Sequence, residues 1–183
     1  MATIITGTSL STTTVNAISN KASSLNTVIN YTVSESDLQT IDLTNLDIQK
    51  GELYKLYISV PSFDGFSFIH IYVNEEYTDT AYSSLRFQMT STGGTGTISA
   101  YTPVLAAPST GAVIVLTDIM LDQTGNLYAV GTHNWTEANS AEGRVITTKS
   151  HGKTWSSITS LRLYAVNGAF FNVGTQVKLV KVI

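Results

Sequence analysis

The chain has 183 residues, a formal net charge of −3, no cysteine and 13% charged side chains, about half the ~25% usual in soluble domains. That length suits one domain plus an appendage with a sizeable core, and leaves little room for two full domains. Several classes are disfavoured at once: there is no Lys/Arg cluster to track nucleic-acid phosphates, no apolar run near the about 20 residues a membrane-spanning helix needs, and no thiol for disulfides, metal ligation or nucleophilic catalysis. The Ser/Thr-rich start also lacks the basic and apolar regions of a signal peptide, so export by the general secretory route is not expected.

Residues 1–27 stand apart in composition. Ser, Thr and Asn dominate, and isolated apolar residues follow one another without a strand pattern. Val15, Ile18, Ala22, Leu25 and Ile29 recur at spacings of three and four, the rhythm of a short oligomerising helix. Thr12, Thr13, Thr14, Ser23 and Ser24 are mediocre helix formers, so an extended arm fits equally well. In either form the segment is expected to touch something other than its own domain.

From residue 28 onward the pattern is β. Residues 28–33 alternate, and 38–43 follow as a further strand. Residues 42–51 read as a loop carrying Leu46 and Ile48. Tyr54, Leu56, Ile58 and Val60 then alternate with Leu53, Lys55, Tyr57 and Ser59 in a strand that Pro61 is expected to close. In residues 66–73 both faces are largely apolar, which places that strand in mid-sheet. An acidic loop at 74–81 precedes a strand at 82–89 through Leu85, Phe87 and Met89. Residues 90–111 read as loose, Gly/Ser/Thr-rich chain with Pro103 and Pro108. Strands at 112–121 and 127–132 form a hairpin whose Gly125 can take a left-handed conformation. A polar loop is expected at 134–143, then a short strand at 145–149.

The C-terminal stretch has the clearest period of two. Leu161, Leu163 and Ala165 alternate with Arg162, Tyr164 and Val166, and Asn167 and Gly168 turn the chain. In the last strand, 176–183, the phase slips after Leu179, which implies cover on both sides or a bulge near Lys181. Eight to ten short strands separated by turns, with no convincing helix after residue 30, predict an antiparallel β-sandwich over 28–183, a jelly roll if eight strands form its core.

Candidate chemistry is sparse. His70, His133 and His151 lie on separate elements, whereas a metal centre needs them gathered with a carboxylate. No Gly-x-Ser-x-Gly elbow is present. Glycoside hydrolysis would require a pair among Asp64, Glu75, Glu76, Asp79, Asp118 and Asp122, and spacing does not select one. Glu75, Glu76 and Asp79 could ligate calcium, but they lack the pattern of a dedicated loop. No cofactor is implied. Aromatic residues in or beside loops could stack on sugar rings, with Trp135 beside His133 foremost, then Tyr77 and Tyr101; Tyr82 and Trp155 belong to the same set. Rim packing is the competing role for each.

Four segments carry a resemblance: LDIQKGELYKLYISV (46–60), IHIYVNEEYTDTAY (69–82), AVIVLTDIMLDQTGNLYAVGTH (112–133) and ITSLRLYAVNGAFFNVGTQVKLVKV (158–182). In order and character they resemble the jelly-roll modules of bacteriophage virion proteins, found in head decoration proteins and at tail-fibre tips. The second departs from that pattern, with Glu75 and Glu76 where a glycine usually follows the asparagine. The resemblance implies a non-enzymatic structural protein of the virion, assembled in the host cytoplasm. It would be a head decoration or head-fibre protein on the capsid surface, partnered by the major capsid protein or other virion proteins. A homo-oligomer, trimeric by preference, is also implied. The alternative is a receptor-binding tip that contacts a host surface glycan.

Overall fold

The computed structural model describes residues 14–17, 27–36, 38–63, 68–90, 93–100, 102–106, 111–137 and 140–183. Among them the regular structure is almost all strand: β1 (Thr14–Ala17), β2 (Thr27–Thr32), β3 (Thr40–Leu43), β4 (Ile48–Gln49), β5 (Leu53–Phe63), β6 (Ile69–Val73), β7 (Tyr82–Thr90), β8 (Gly93–Ala100), β9 (Val104–Ala106), β10 (Gly111–Leu121), β11 (Leu127–Glu137), β12 (Ser140–Ser150), β13 (Ser157–Ile158), β14 (Leu161–Ala165) and β15 (Gln176–Lys181). They form a β-sandwich. A five-stranded sheet runs β1-β3-β14-β6-β9, an eight-stranded sheet runs β2-β15-β5-β10-β11-β12-β7-β8, and β13 and β4 make a small ribbon.

Nested pairing organises these sheets. Take β2, β3, β5, β6, β9, β10, β14 and β15 as a series: the first pairs with the last, the second with the seventh, the third with the sixth and the fourth with the fifth, all antiparallel. The chain is thus one long hairpin rolled into two layers. Two insertions, β7-β8 and β11-β12, meet through β12 and β7 and widen the large sheet beyond β10.

Period-two alternation fills the space between the sheets. Tyr54, Leu56, Ile58 and Val60 of β5, Val113, Val115, Ile119 and Leu121 of β10, Leu161 and Leu163 of β14, and Val177 and Leu179 of β15 join one buried cluster. Each fully buried Leu or Ile contributes about 2 kcal/mol through removal from water. Polar groups close the widened part. The hydroxyl oxygens of Ser84 and Thr148, both buried, lie 2.6 Å apart. Val104 N–H donates to Ser84 Oγ at 3.1 Å, Ser84 donates to the Thr102 carbonyl and Thr148 to the Val104 carbonyl. The N–H and carbonyl of Val104, in β9 at the end of the five-stranded sheet, are thereby satisfied by hydroxyls of β7 and β12.

Several expectations are corrected by the pairing. Pro61 does not end its strand: β5 continues to Phe63, and a register shift between Gly111 and Val113 of β10 absorbs the proline as a bulge. Residues 134–137 and 140–143 are not loop but the far ends of β11 and β12, paired from Asn134↔Gly143 to Glu137↔Ser140. The glycine-rich stretch at 93–100 is a strand, β8, paired with β7. There Phe87 supplies the missing side-chain cover, because a Cβ on Gly94 would lie 2.8 Å from its ring. The phase slips after Leu179 as read, but the bulge lies between Leu179 and Val180 rather than near Lys181, and the extra residue, Val28, sits on β2. Beyond it Val182 and Ile183 are exposed, not covered.

The arm is corrected as well. Val15 lies in β1, which adds to the edge of the five-stranded sheet parallel to β3. Ile29 is buried in β2 of the other sheet. The two ends of the apparent heptad rhythm therefore belong to strands in different layers. Ile18, Ala22 and Leu25 lie outside the described residues.

The turns behave as read. Asn167 (φ 59°) and Gly168 (φ 72°) reverse the chain between β14 and β15, and Gly125 (φ 92°) does so between β10 and β11. Their surroundings differ. A Cβ on Gly168 meets nothing within 4 Å, whereas one on Gly125 would lie 2.4 Å from the carbonyl oxygen of Trp155. Urea unfolding should therefore show Gly168→Ala costing about 1 kcal/mol, the left-handed penalty alone. Gly125→Ala should cost at least about 2 kcal/mol more, because backbone must move.

Candidate functional site

On the outward face of the five-stranded sheet, β3, β14 and β6 set Asp42, Arg162 and Tyr72 in one cross-strand row and Thr40, Tyr164 and His70 in the next. Alternation compels this: Ile41, Leu43, Leu161, Leu163, Ile71 and Val73 take the inward positions, so the polar and aromatic neighbours share the other side. Arg162 grips Asp42 with a fork of two bonds, Nε–H to Oδ1 at 2.6 Å and an Nη2 proton to Oδ2 at 2.8 Å. The carboxylate raises the guanidinium further above its ordinary value. The same guanidinium lies 4.3 Å over the ring of Tyr77. Tyr72 meets Tyr77 edge-on at 5.7 Å.

Tyr77 is thus held from beneath and from the side, and still 45% exposed. Near it, the Gln39 amide donates to the Tyr164 hydroxyl at 3.2 Å. A proton chain underlies the cluster. Tyr72 donates its one hydroxyl proton to Asp79 Oδ1 at 2.9 Å, so His70 Nδ1, 3.3 Å from that hydroxyl, is the donor to it. Burial lowers the pKa of His70, with Asp79 opposing; burial first and then Asp79 raise that of Tyr72.

The loop that presents Tyr77 is tightly built. Asn74 (φ 50°) and Glu75 (φ 63°) both occupy the left-handed region, closing a turn at the Val73↔Glu76 bridge. Asn74 Oδ1 accepts from Thr159 N–H at 2.7 Å and Ser160 N–H at 3.1 Å, while its amide donates to the Ser157 carbonyl at 2.7 Å. Tyr82, fully buried, accepts from Val73 N–H at 3.0 Å and donates to the Glu76 carbonyl at 2.9 Å. Its ring stacks on Trp155 at 6.2 Å, which gives Trp155 a rim-packing role. Glu76 pairs with Lys153 at 2.8 Å, and that bond pulls its carboxyl down to about 2.

Among the described residues singled out for glycan contact, Tyr77 is placed on this surface. His133 is 1% exposed and faces the interior from β11, so it does not meet an external sugar. Trp135 lies two residues further along β11 with its backbone between Val113 and Glu142, on a strand rather than in a loop. Tyr101 lies outside the described residues. The acidic trio is dispersed: Glu76 goes to Lys153 and Asp79 to Tyr72, leaving Glu75 exposed. Among the described residues no three His, Asp or Glu side chains gather as a metal site. Asp118 pairs with Lys55 at 2.7 Å. Asp122 caps the β10–β11 turn by accepting from Thr124 and Asn126, which keeps its carboxyl below the ordinary range. Asp64 lies outside the described residues. Arg162, Asp42, Tyr72 and Tyr164 were not among the sequence candidates; their outward phase could be read from alternation, but not their register. Comparisons with protein-family models, with curated proteins and with solved structures find no match to this chain.

Two outcomes follow from the loop. Glu75→Gly should raise stability by about 1 kcal/mol in urea unfolding, since glycine adopts the left-handed turn without a Cβ penalty. In acid, the folded chain resists protonation of Glu76 down to about pH 2, whereas an unfolded glutamate takes up its proton near 4.3. The unfolded state holds more protons between those values, so stability falls as pH drops through that window. Glu76→Gln should flatten that part of the stability–pH curve, measured by chemical unfolding between about pH 2 and 5.

Proposed function

We propose that the chain is a non-enzymatic structural protein of a bacteriophage virion, a jelly-roll module attached to the capsid surface as head decoration or head fibre. One observation carries the reading. The nested pairing of eight strands, first with last through fourth with fifth, is that of a double Greek key rolled into two sheets. The segments that resemble phage jelly-roll modules fall on this frame: 46–60 holds β4 and most of β5, 69–82 holds β6 and the Tyr77 loop, 112–133 holds most of β10 and the first part of β11, and 158–182 holds β14 and β15. A weakly charged surface suits a subunit whose solubility is set by a larger particle. Its partner in this reading is the major capsid protein or another virion protein, bound by surface complementarity. Because residues 14–17 pair with their own domain, the docking role of the arm passes to residues 1–13.

A second reading, host attachment at a tail-fibre tip, is favoured by Tyr77. An exposed aromatic ring braced by Arg162 and bordered by Asp42 and Glu75 offers a stacking face with donors and acceptors around it, which is what a neutral sugar requires.

Quantitative mass spectrometry of purified particles separates the two. Copy numbers comparable to the major shell subunit are expected for decoration, together with loss of incorporation when residues 1–13 are deleted. A handful of copies per particle would move the reading to the tip, where Tyr77→Ala should abolish cell binding and leave assembly intact. Absence from particles would overturn both.

A further inference from the structure

Only one asparagine of the chain is followed directly by glycine, Asn167 before Gly168. The pair forms the tip of the turn after β14, with both residues exposed and both in the left-handed region (φ 59° and 72°). Nothing crowds it. A Cβ on Gly168 would meet no atom within 4 Å, and the Asn167 side chain has no hydrogen-bond partner among the described residues. One cross-bond closes the turn, from Ala169 N–H to the Val166 carbonyl at 3.3 Å, at the long end of the range for such bonds. The Gly168 N–H takes no part in it.

We propose that Asn167 is a site of intramolecular modification, converted to aspartate and isoaspartate by attack of the Gly168 nitrogen on its side chain. The Gly168 nitrogen gives up its proton to solvent base and forms a bond to the Asn167 side-chain carbonyl carbon, Cγ. The Cγ–Nδ2 bond then breaks, and the nitrogen leaves as ammonia with a proton from water. A five-membered succinimide ring remains. Water opens it at either carbonyl: attack at Cγ yields aspartate, and attack at the main-chain carbon yields isoaspartate. The sum is amide plus water to carboxylate and ammonia, with no change of oxidation state. Nucleophile and electrophile belong to adjacent residues, so the reaction has the advantage of a short intramolecular closure. Glycine contributes by having no Cβ beside the attacking nitrogen.

The other described asparagines outside the strands are held back by their surroundings. Asn45 is also exposed and left-handed (φ 57°), but buried Leu46 follows it, and the Leu46 N–H is bound to the Thr159 carbonyl at 2.9 Å. Asn74 accepts from two backbone N–H groups and donates to the Ser157 carbonyl. The Asn126 amide is bound to Asp122 and Thr124, and the next N–H, that of Leu127, goes to Ser150. The Asn172 amide donates to Ser62. Each of these side chains or following amides must first be released, whereas residue 167 is ready as it stands.

The modification adds one negative charge to a chain of formal charge −3, and in the isoaspartyl form one more carbon to the main chain at the turn. Its effect stays at the tip. Ala169 and Phe171, both buried, anchor the connection just beyond it, and Phe171 N–H is bound to the Leu38 carbonyl at 2.7 Å.

Peptide mapping by mass spectrometry of the purified full chain, held folded at neutral and mildly alkaline pH, tests this. The peptide that contains Asn167 is expected to convert faster than those containing Asn45, Asn74, Asn126 or Asn172. Both aspartyl and isoaspartyl products should appear, and the rate should rise with pH because the attacking nitrogen must lose its proton. Gly168→Ala, whose added methyl meets open space and so leaves the fold intact by circular dichroism, should slow conversion at least about tenfold. An Asn167 that stays intact while another asparagine converts, aspartate formed without isoaspartate, or an unchanged rate in Gly168→Ala would overturn the proposal.

Discussion

The structure depends on β15 being inserted between β2 and β5. It pairs with β2 from Gln176↔Thr32 and with β5 from Gln176↔Ser59 to Lys181↔Tyr54. The two outermost strands of the nested series thereby close against each other, and β5 is held from both sides by β15 and β10. Val177 and Leu179 must face inward to satisfy burial, so the register of the whole large sheet is fixed by two side chains near its edge. A slip of one residue would turn them to solvent and bring Lys178 into the core.

With the inner faces committed to one core, the two outer faces are free to differ, and they do. The small sheet presents a polar and aromatic cluster in which Arg162 is answered by Asp42 and Asp79 by the Tyr72 hydroxyl. Such a surface is stiff without being sticky. The large sheet exposes Ile114, Leu116, Val130, Val145, Phe87 and Leu85 among polar neighbours such as Thr132, Thr147 and Asp118.

Much of the frame was legible in the sequence because burial on one face leaves a period of two. Tyr54 to Val60 and Leu161 to Ala165 lie in the phase that alternation dictates. Apolar residues on both sides of residues 69–73 correctly indicated an interior strand, since β6 lies between β14 and β9 and is buried throughout. What failed was local composition used against long-range pairing. Residues 134–137 and 140–143 look like loop, yet each finds a partner across a hairpin; residues 93–100 are poor in side chains, yet Phe87 lends them cover. The heptad spacing of Val15 and Ile29 was coincidence between strands of different sheets. At the Tyr77 surface, outward phase was readable for Arg162 and Tyr72. Their meeting with Asp42 was not, because register across about 120 residues of chain is a tertiary property.

The nested pairing also has a kinetic side. Of the four antiparallel pairs, only β6 with β9 joins strands fewer than 40 residues apart; β2 at 27–32 must wait for β15 at 176–181. Contacts of such long separation lose chain entropy early and are rewarded late, which places this topology among slow folders. On the ribosome the first strand of the large sheet emerges with its partner still unmade. Its edge, with Ile29 and Tyr31 uncovered, stays open to chaperones or to wrong neighbours until residues 176–181 have been synthesised.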